Sequence, residues 1–136
     1  MNEFVWPVRV YYEDTDVGGV VYYANYLKFM ERARTEWLRS LGFEQDRLRD
    51  EHGIIFAVRQ VEVGYHLPAR FNESLQVKAV VVTKGRASLT FRQEVIRADD
   101  KILLCSGLVK IACVNVNTLR PTPIPTQILE EIPDVA

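Results

Sequence analysis

Between Tyr22 and Leu41 the chain carries too many apolar residues at helical spacing for one surface stripe. Tyr26, Met30, Ala33, Trp37 and Leu41 recur at three- and four-residue steps, and Gly42 supplies a stop. On a wheel of roughly 100° per residue, Tyr26, Leu27, Phe29, Met30, Ala33, Trp37, Leu38 and Leu41 fill an arc of about 180°. A simple surface helix needs less, so something broad must wrap this one. Lys28, Glu31, Arg32, Thr35 and Arg39 take the opposite side, where ion pairs add a few tenths of a kcal/mol. Arg34 falls inside the apolar arc. Its guanidinium must be paired or reach outward, and structural ion pairing is expected for Arg34 and Glu31.

The rest of the chain reads mostly as strands. Val5 to Asp14 predicts one, with Val8, Val10 and Tyr12 on one face and Arg9, Tyr11 and Glu13 on the other. Turn residues fill Thr15 to Val20, and Phe43 to His52 suits a short second helix or irregular turn. Val61, Val63, Tyr65 and Leu67 then alternate with polar or small residues. Leu75, Val77, Ala79 and Val81 follow, then Leu89, Phe91 and Val95 with Arg92 and Glu94 opposite. Turn signals at Pro68 to Asn72, Lys84-Gly85 and Asp99-Asp100 separate these runs. Leu103 to Val116 is apolar on much of both faces. A subunit interface is the expected cover for its second face, rather than a loop or the C-terminal helix. RPTPIP, Arg120 to Pro125, predicts an extended tail leading to a short terminal helix.

One strand, one long helix and about four sequential strands make an α+β fold with an antiparallel sheet covering the helix. At 136 residues, without repeats or a linker, residues 1–136 form a single domain. A formal net charge of -1 implies no bulk attraction to nucleic acid or anionic membrane. Two cysteines, Cys105 and Cys113, are no disulfide framework and suit a reducing compartment. MNEFVWPVRV lacks a signal pattern, and no run of about 18 apolar residues occurs. A cytoplasmic protein without an integral membrane segment is expected.

Several chemistries lack their motifs: there is no G-x-S-x-G elbow, P-loop or dinucleotide fingerprint. His52 and His66 lie in different elements without metal-ligand spacing, so no metal site is expected. What remains is EDTDVGGVVYYANY, Glu13 to Tyr26, with three carboxylates just ahead of the helix. Three readings fit it. Acid-x-acid spacing suits Mg²⁺ bound together with a phosphate. Asp, Thr and Gly also suit plain helix entry. Finally, unsatisfied backbone N–H groups at the helix start, approachable past Gly18 and Gly19, suit a developing oxyanion with an aspartate beside it. Such equipment has no strong proton donor. It fits thioesters better than amides, because a thiol of pKa about 8.5 departs as thiolate without help.

Val8 to Leu38, VRVYYEDTDVGGVVYYANYLKFMERARTEWL, resembles the YbgC-like acyl-CoA thioesterases of the 4-hydroxybenzoyl-CoA thioesterase group. The likeness lies in D-T-D-x-G-G-V-V-Y, then A-N-Y, then E-R-A-R-T-E. It continues through Phe56–Val58, Pro68–Arg70 and the late strand. The resemblance implies a hotdog fold, a curved antiparallel sheet around one central helix, and a homodimer or homotetramer with sites at the dimer interface. It implies hydrolysis of acyl-CoA to free acid and CoA without a cofactor. Asp16 would be nucleophile or general base, the Tyr23 backbone N–H the carbonyl donor, and Gly19, Val20 and Tyr26 pocket residues. It further implies Tol–Pal association, an acyl-carrier-protein partner and a peripheral place at the inner membrane. Many YbgC-like chains carry histidine where Tyr23 stands, whereas the 4-hydroxybenzoyl-CoA enzymes carry tyrosine; a backbone role survives either. CoA is a polyanion, so Lys84 and Arg86, with Ser88, are its candidate binders, ahead of Arg59 and Arg70. Two alternatives stand beside hydrolysis: an acyl-thioester dehydratase, disfavoured by the lack of histidine in the motif, and a protein that binds acyl-CoA or acyl carrier protein with little turnover.

Overall fold

The computed structural model describes residues 3–133. Its elements run β1 (Phe4–Arg9), α1 (Asn25–Ser40), α2 (Gln45–Arg47), β2 (Ile54–Tyr65), β3 (Ser74–Lys84), β4 (Ser88–Arg97), β5 (Leu103–Asn115) and α3 (Thr126–Glu131). All strand pairs are antiparallel, in the order β1-β3-β4-β5-β2. The sheet covers α1, as the wide apolar arc requires. Tyr26, Phe29, Met30, Ala33, Trp37 and Leu38 are buried, and Trp37 meets Phe91 edge-on at 5.0 Å. Leu27, counted in that arc, stays 39% exposed. The sheet therefore wraps less of the helix than the helix offers.

Sequential pairing holds for β3, β4 and β5 but fails at β2, which joins the far side of β5 instead of pairing with β3. The physical reason lies in the connection. Residues 66–73 do not close a hairpin; they spend their backbone groups elsewhere, with Asn72 N–H on the Val10 carbonyl and the Ala69 carbonyl accepting from Val21. β2 is also longer than the alternation suggested, because a bulge between Val58 and Gln60 resets its parity. The bulge puts both Val58 and Val61 beside the same cavity.

The first strand ends earlier than expected, at Arg9. Tyr12–Asp14 forms a 3-10 turn instead, because the Asp14 carboxylate accepts the Tyr11 N–H at 2.8 Å. The helix likewise begins at Asn25 rather than Tyr22, since the Tyr22 N–H is taken by the Asp14 carbonyl at 2.9 Å. Its end is as expected. Gly42, at φ 98°, donates to Arg39, and Phe43 donates to Leu38, the paired bonds of a left-handed helix stop.

The C-terminal end of β5 corrects one expectation. Ile111, Ala112, Cys113 and Val114 are consecutive and all buried within the single chain. The tail continues the sheet there: Thr122 N–H donates to Cys113, Pro121 bridges Val114, and Ile124, Ile128 and Ile132 enter the core. No second subunit is needed to close both faces at that end. Cys105 and Cys113 are free thiols, pushed by burial up to about 12 and about 11.

Arg34 is held by Gln93, a fully buried residue on the inner face of β4 that the alternation pattern left unassigned. Gln93 accepts from Arg34 Nη1 at 2.9 Å and donates to the Met30 carbonyl at 3.0 Å. Burial lowers the Arg34 pKa, and the charge of Glu31 opposes that shift without a hydrogen bond among the described residues.

Candidate active site

Asp16 opens a tight hairpin. Its N–H donates to the Val20 carbonyl, its carbonyl accepts from Gly19 at 3.0 Å, and Thr15 bridges Val21. Gly19 sits at φ 79°, the left-handed position that such a loop requires and that glycine takes without strain. One carboxylate oxygen of Asp16 accepts the Gly18 N–H at 2.8 Å. That bond fixes the rotamer while the side chain stays exposed. Glu13 and Asp14 point to other tasks: Asp14 caps the 3-10 turn, and its carbonyl accepts from Tyr22 N–H and from Asn25 Nδ2 at 2.8 Å.

The hairpin delivers the chain to the helix entrance. The Asn25 N–H closes on Tyr22, and Leu27 closes on Ala24. The backbone N–H groups of Tyr23 and Ala24 have no partner among the described residues. Asp16 and the entrance therefore stand on one continuous scaffold, Asp14 to Asn25. Residues 69–71 brace it from the side: Val21 N–H donates to Ala69 at 2.8 Å, Val20 bridges Arg70, and Phe71 N–H reaches the Gly19 carbonyl.

Around this entrance lies an aromatic surface. Tyr22 and Tyr23 are tilted against each other at 4.8 Å, Tyr23 meets Tyr65 edge-on at 5.9 Å, and Tyr65 lies 5.7 Å from Tyr26. Tyr23 and Tyr65 are about half exposed, whereas Tyr26 is buried, its hydroxyl accepting the Ala69 N–H at 2.9 Å. Hydrogen bonding to Tyr23 raises the Tyr22 pKa, and burial raises those of Tyr26 and Tyr65. These three phenols stay neutral at physiological pH and cannot serve there as bases.

Asp16, Gly19, Val20, Tyr23 and Tyr26 are thus brought together. Lys84, Arg86 and Ser88 are not. They lie at the β3–β4 turn, ten residues along β3 from Ser74, so roughly 30 Å from the Asp16 end at about 3.3 Å per residue. Lys84 Nζ donates to the Ile132 carbonyl at 3.0 Å. Tyr65 escaped sequence reasoning, being forty-odd positions from Tyr23 with only its strand alternation to mark it. No local signal points from one to the other.

A second opening lies between α1 and the β2 side of the sheet. This cavity of about 350 Å³ is lined by Leu27, Glu31, Arg34, Val58, Val61 and Ile111, among others. It borders the outer edge of β2, which pairs only with β5 among the described strands.

The chain matches the family model described as the thioesterase-like superfamily over residues 10–132. It is 43% identical to an acyl-CoA thioester hydrolase YbgC of Escherichia coli O6:H1, covering 94% of each chain. It is 42% identical to an acyl-CoA thioesterase YbgC of Haemophilus influenzae, covering 93% of this chain and 92% of that one. The crystal structure of a 4-hydroxybenzoyl-CoA thioesterase variant with its 4-hydroxybenzoyl-CoA ligand superposes with a TM-score of 0.90, covering 96% of this chain and 99% of that one. At 17% identity, that match establishes the hotdog fold and nothing finer.

Proposed function

The chain belongs to the YbgC-like branch of the thioesterase-like superfamily, and on that premise we propose that it hydrolyses acyl-CoA to free acid and CoA at the Asp16 hairpin. The observation that carries the reading is the single scaffold joining an exposed, rotamer-fixed carboxylate to two unpartnered backbone N–H groups. The thioester carbonyl points at the Tyr23 N–H, which stabilises the oxyanion as it develops. Asp16 attacks the carbonyl carbon, forming an anhydride that water opens, or removes a proton from the water that attacks. Either route expels CoA as thiolate, so no acid is required. The exposed faces of Tyr23 and Tyr65 form one wall for the acyl group.

The active species in this proposal is a homodimer paired along β2. A twelve-residue edge strand with Val58 51% and Val61 39% exposed is an unblunted template for another strand. Antiparallel pairing of two β2 edges about a two-fold axis sets the Asp16 end of one copy beside the Lys84, Arg86 and Ser88 end of the other. The CoA phosphates would then be held across the interface, which accounts for candidate residues lying far apart in one chain.

Thiol release from acyl-CoA substrates, aliphatic of graded length and one aromatic, tests the activity. The parent should turn over, and Asp16→Asn should lose at least about 100-fold in kcat. Near-parent turnover by that variant would refute the mechanism. A folded parent that cleaves none of the substrates would favour the binding-protein alternative.

A further inference from the structure

Tyr26 was expected to line a pocket, yet its ring is 3% exposed and its hydroxyl faces the backbone. The bond it makes sits at a junction. Ala69, itself fully buried, has its N–H on the Tyr26 hydroxyl and its carbonyl on the Val21 N–H. The next two residues continue the contact, Arg70 bridging Val20 and Phe71 donating to Gly19. Val20 in turn accepts the Asp16 N–H at 2.9 Å. A continuous path of backbone bonds therefore runs from a side chain in the first turn of α1, through residues 69–71, to the catalytic hairpin. Each link is short, and the Ala69 N–H has no other partner among the described residues.

We propose that Tyr26 is a positioning residue: its hydroxyl sets the height of the 69–71 segment, and that segment holds the Asp16 hairpin in register with the helix entrance. The claim about catalysis rests on the reading of Asp16 given above; the claim about register does not. α1 supplies both ends of the device. Its first turn carries the Tyr26 hydroxyl, and its entrance carries the Tyr23 N–H. Height and oxyanion donor are thus referenced to one rigid body, which suits a reaction sensitive to displacements on the order of 1 Å. Tyr26→Phe removes one oxygen, leaves the ring contacts with Phe29 and Tyr65, and leaves a buried N–H unsatisfied.

The test pairs Tyr26→Phe with Asp16→Asn. Both are assayed by thiol release, with amide hydrogen exchange on parent and Tyr26→Phe. The expected result is a kcat about tenfold lower in Tyr26→Phe, with KM within about twofold, and faster exchange at Gly19, Val21 and Ala69. A purely packing role would lower the melting temperature while leaving kcat and those amides at parent values, and that outcome overturns the proposal. If Asp16→Asn retains turnover, the assignment of Asp16 falls, and exchange at Gly19 and Val21 alone decides whether Tyr26 sets the register. Should Tyr26→Phe fail to fold, the parent decides: an Ala69 amide exchanging as fast as exposed loop amides refutes the anchoring, and core-strand protection supports it.

Discussion

Gly19 is the residue whose backbone geometry most directly sets where Asp16 points. At φ 79°, it closes the hairpin so that the Asp16 N–H meets Val20 and the carboxylate meets Gly18. A Cβ at Gly19 would touch nothing within 4 Å, so substitution there meets backbone strain rather than collision. Gly19→Ala should cost about 1–2 kcal/mol of stability, the left-handed penalty, measurable as a lowered denaturation midpoint. It should also reduce kcat several-fold by turning the hairpin; an unchanged midpoint would show that the hairpin reopens freely. The acid–glycine run was legible in the sequence as a turn before a helix. Which acid matters was separated only by resemblance. The fold supplies a physical reason, because Asp14 is consumed by its own turn and Asp16 is left exposed.

Helix α1 was the most legible element, since a three-to-four-residue repeat and a glycine stop depend only on neighbours along the chain. Its start was not, because tertiary bonds from Asp14 and Ala69 hold Tyr22 and Val21 in the incoming segment. β2 illustrates the same limit. Its bulge and its pairing with β5 depend on what lies beside it, which alternation does not encode. The β5–β2 contact is close enough to test. A Cβ at Gly107 would stand 2.8 Å from the Glu62 carbonyl and 3.6 Å from Met30 Cε. Gly107→Ala should therefore cost about 1–3 kcal/mol by overpacking between the two strands and α1. Urea unfolding measures it, and a change below about 0.5 kcal/mol would mean that β2 yields without penalty.

For the whole molecule, the open edge and the cavity beside it carry the expectation of assembly. Val58→Glu combined with Val61→Glu puts two carboxylates into the strand edge and cavity wall that a second copy would cover. Light scattering should show a monomer for this double variant and a dimer or larger for the parent, with thiol release falling at least about tenfold. A monomeric parent with full activity would refute the shared site. No helix among the described residues is long and apolar enough to cross a membrane. By itself the sequence determined the order of elements, a helix that had to be wrapped, and the acid–glycine turn at its entrance, because each is written in spacing between near neighbours. Only the tertiary structure decided that β2 joins β5, that both faces of the end of β5 close within one chain, and that Tyr65, Tyr26 and Ala69 gather at the Asp16 hairpin. Those outcomes depend on contacts between residues some forty or more positions apart. Periodicity cannot specify such contacts, because it records which face of an element is apolar and not what that face will meet.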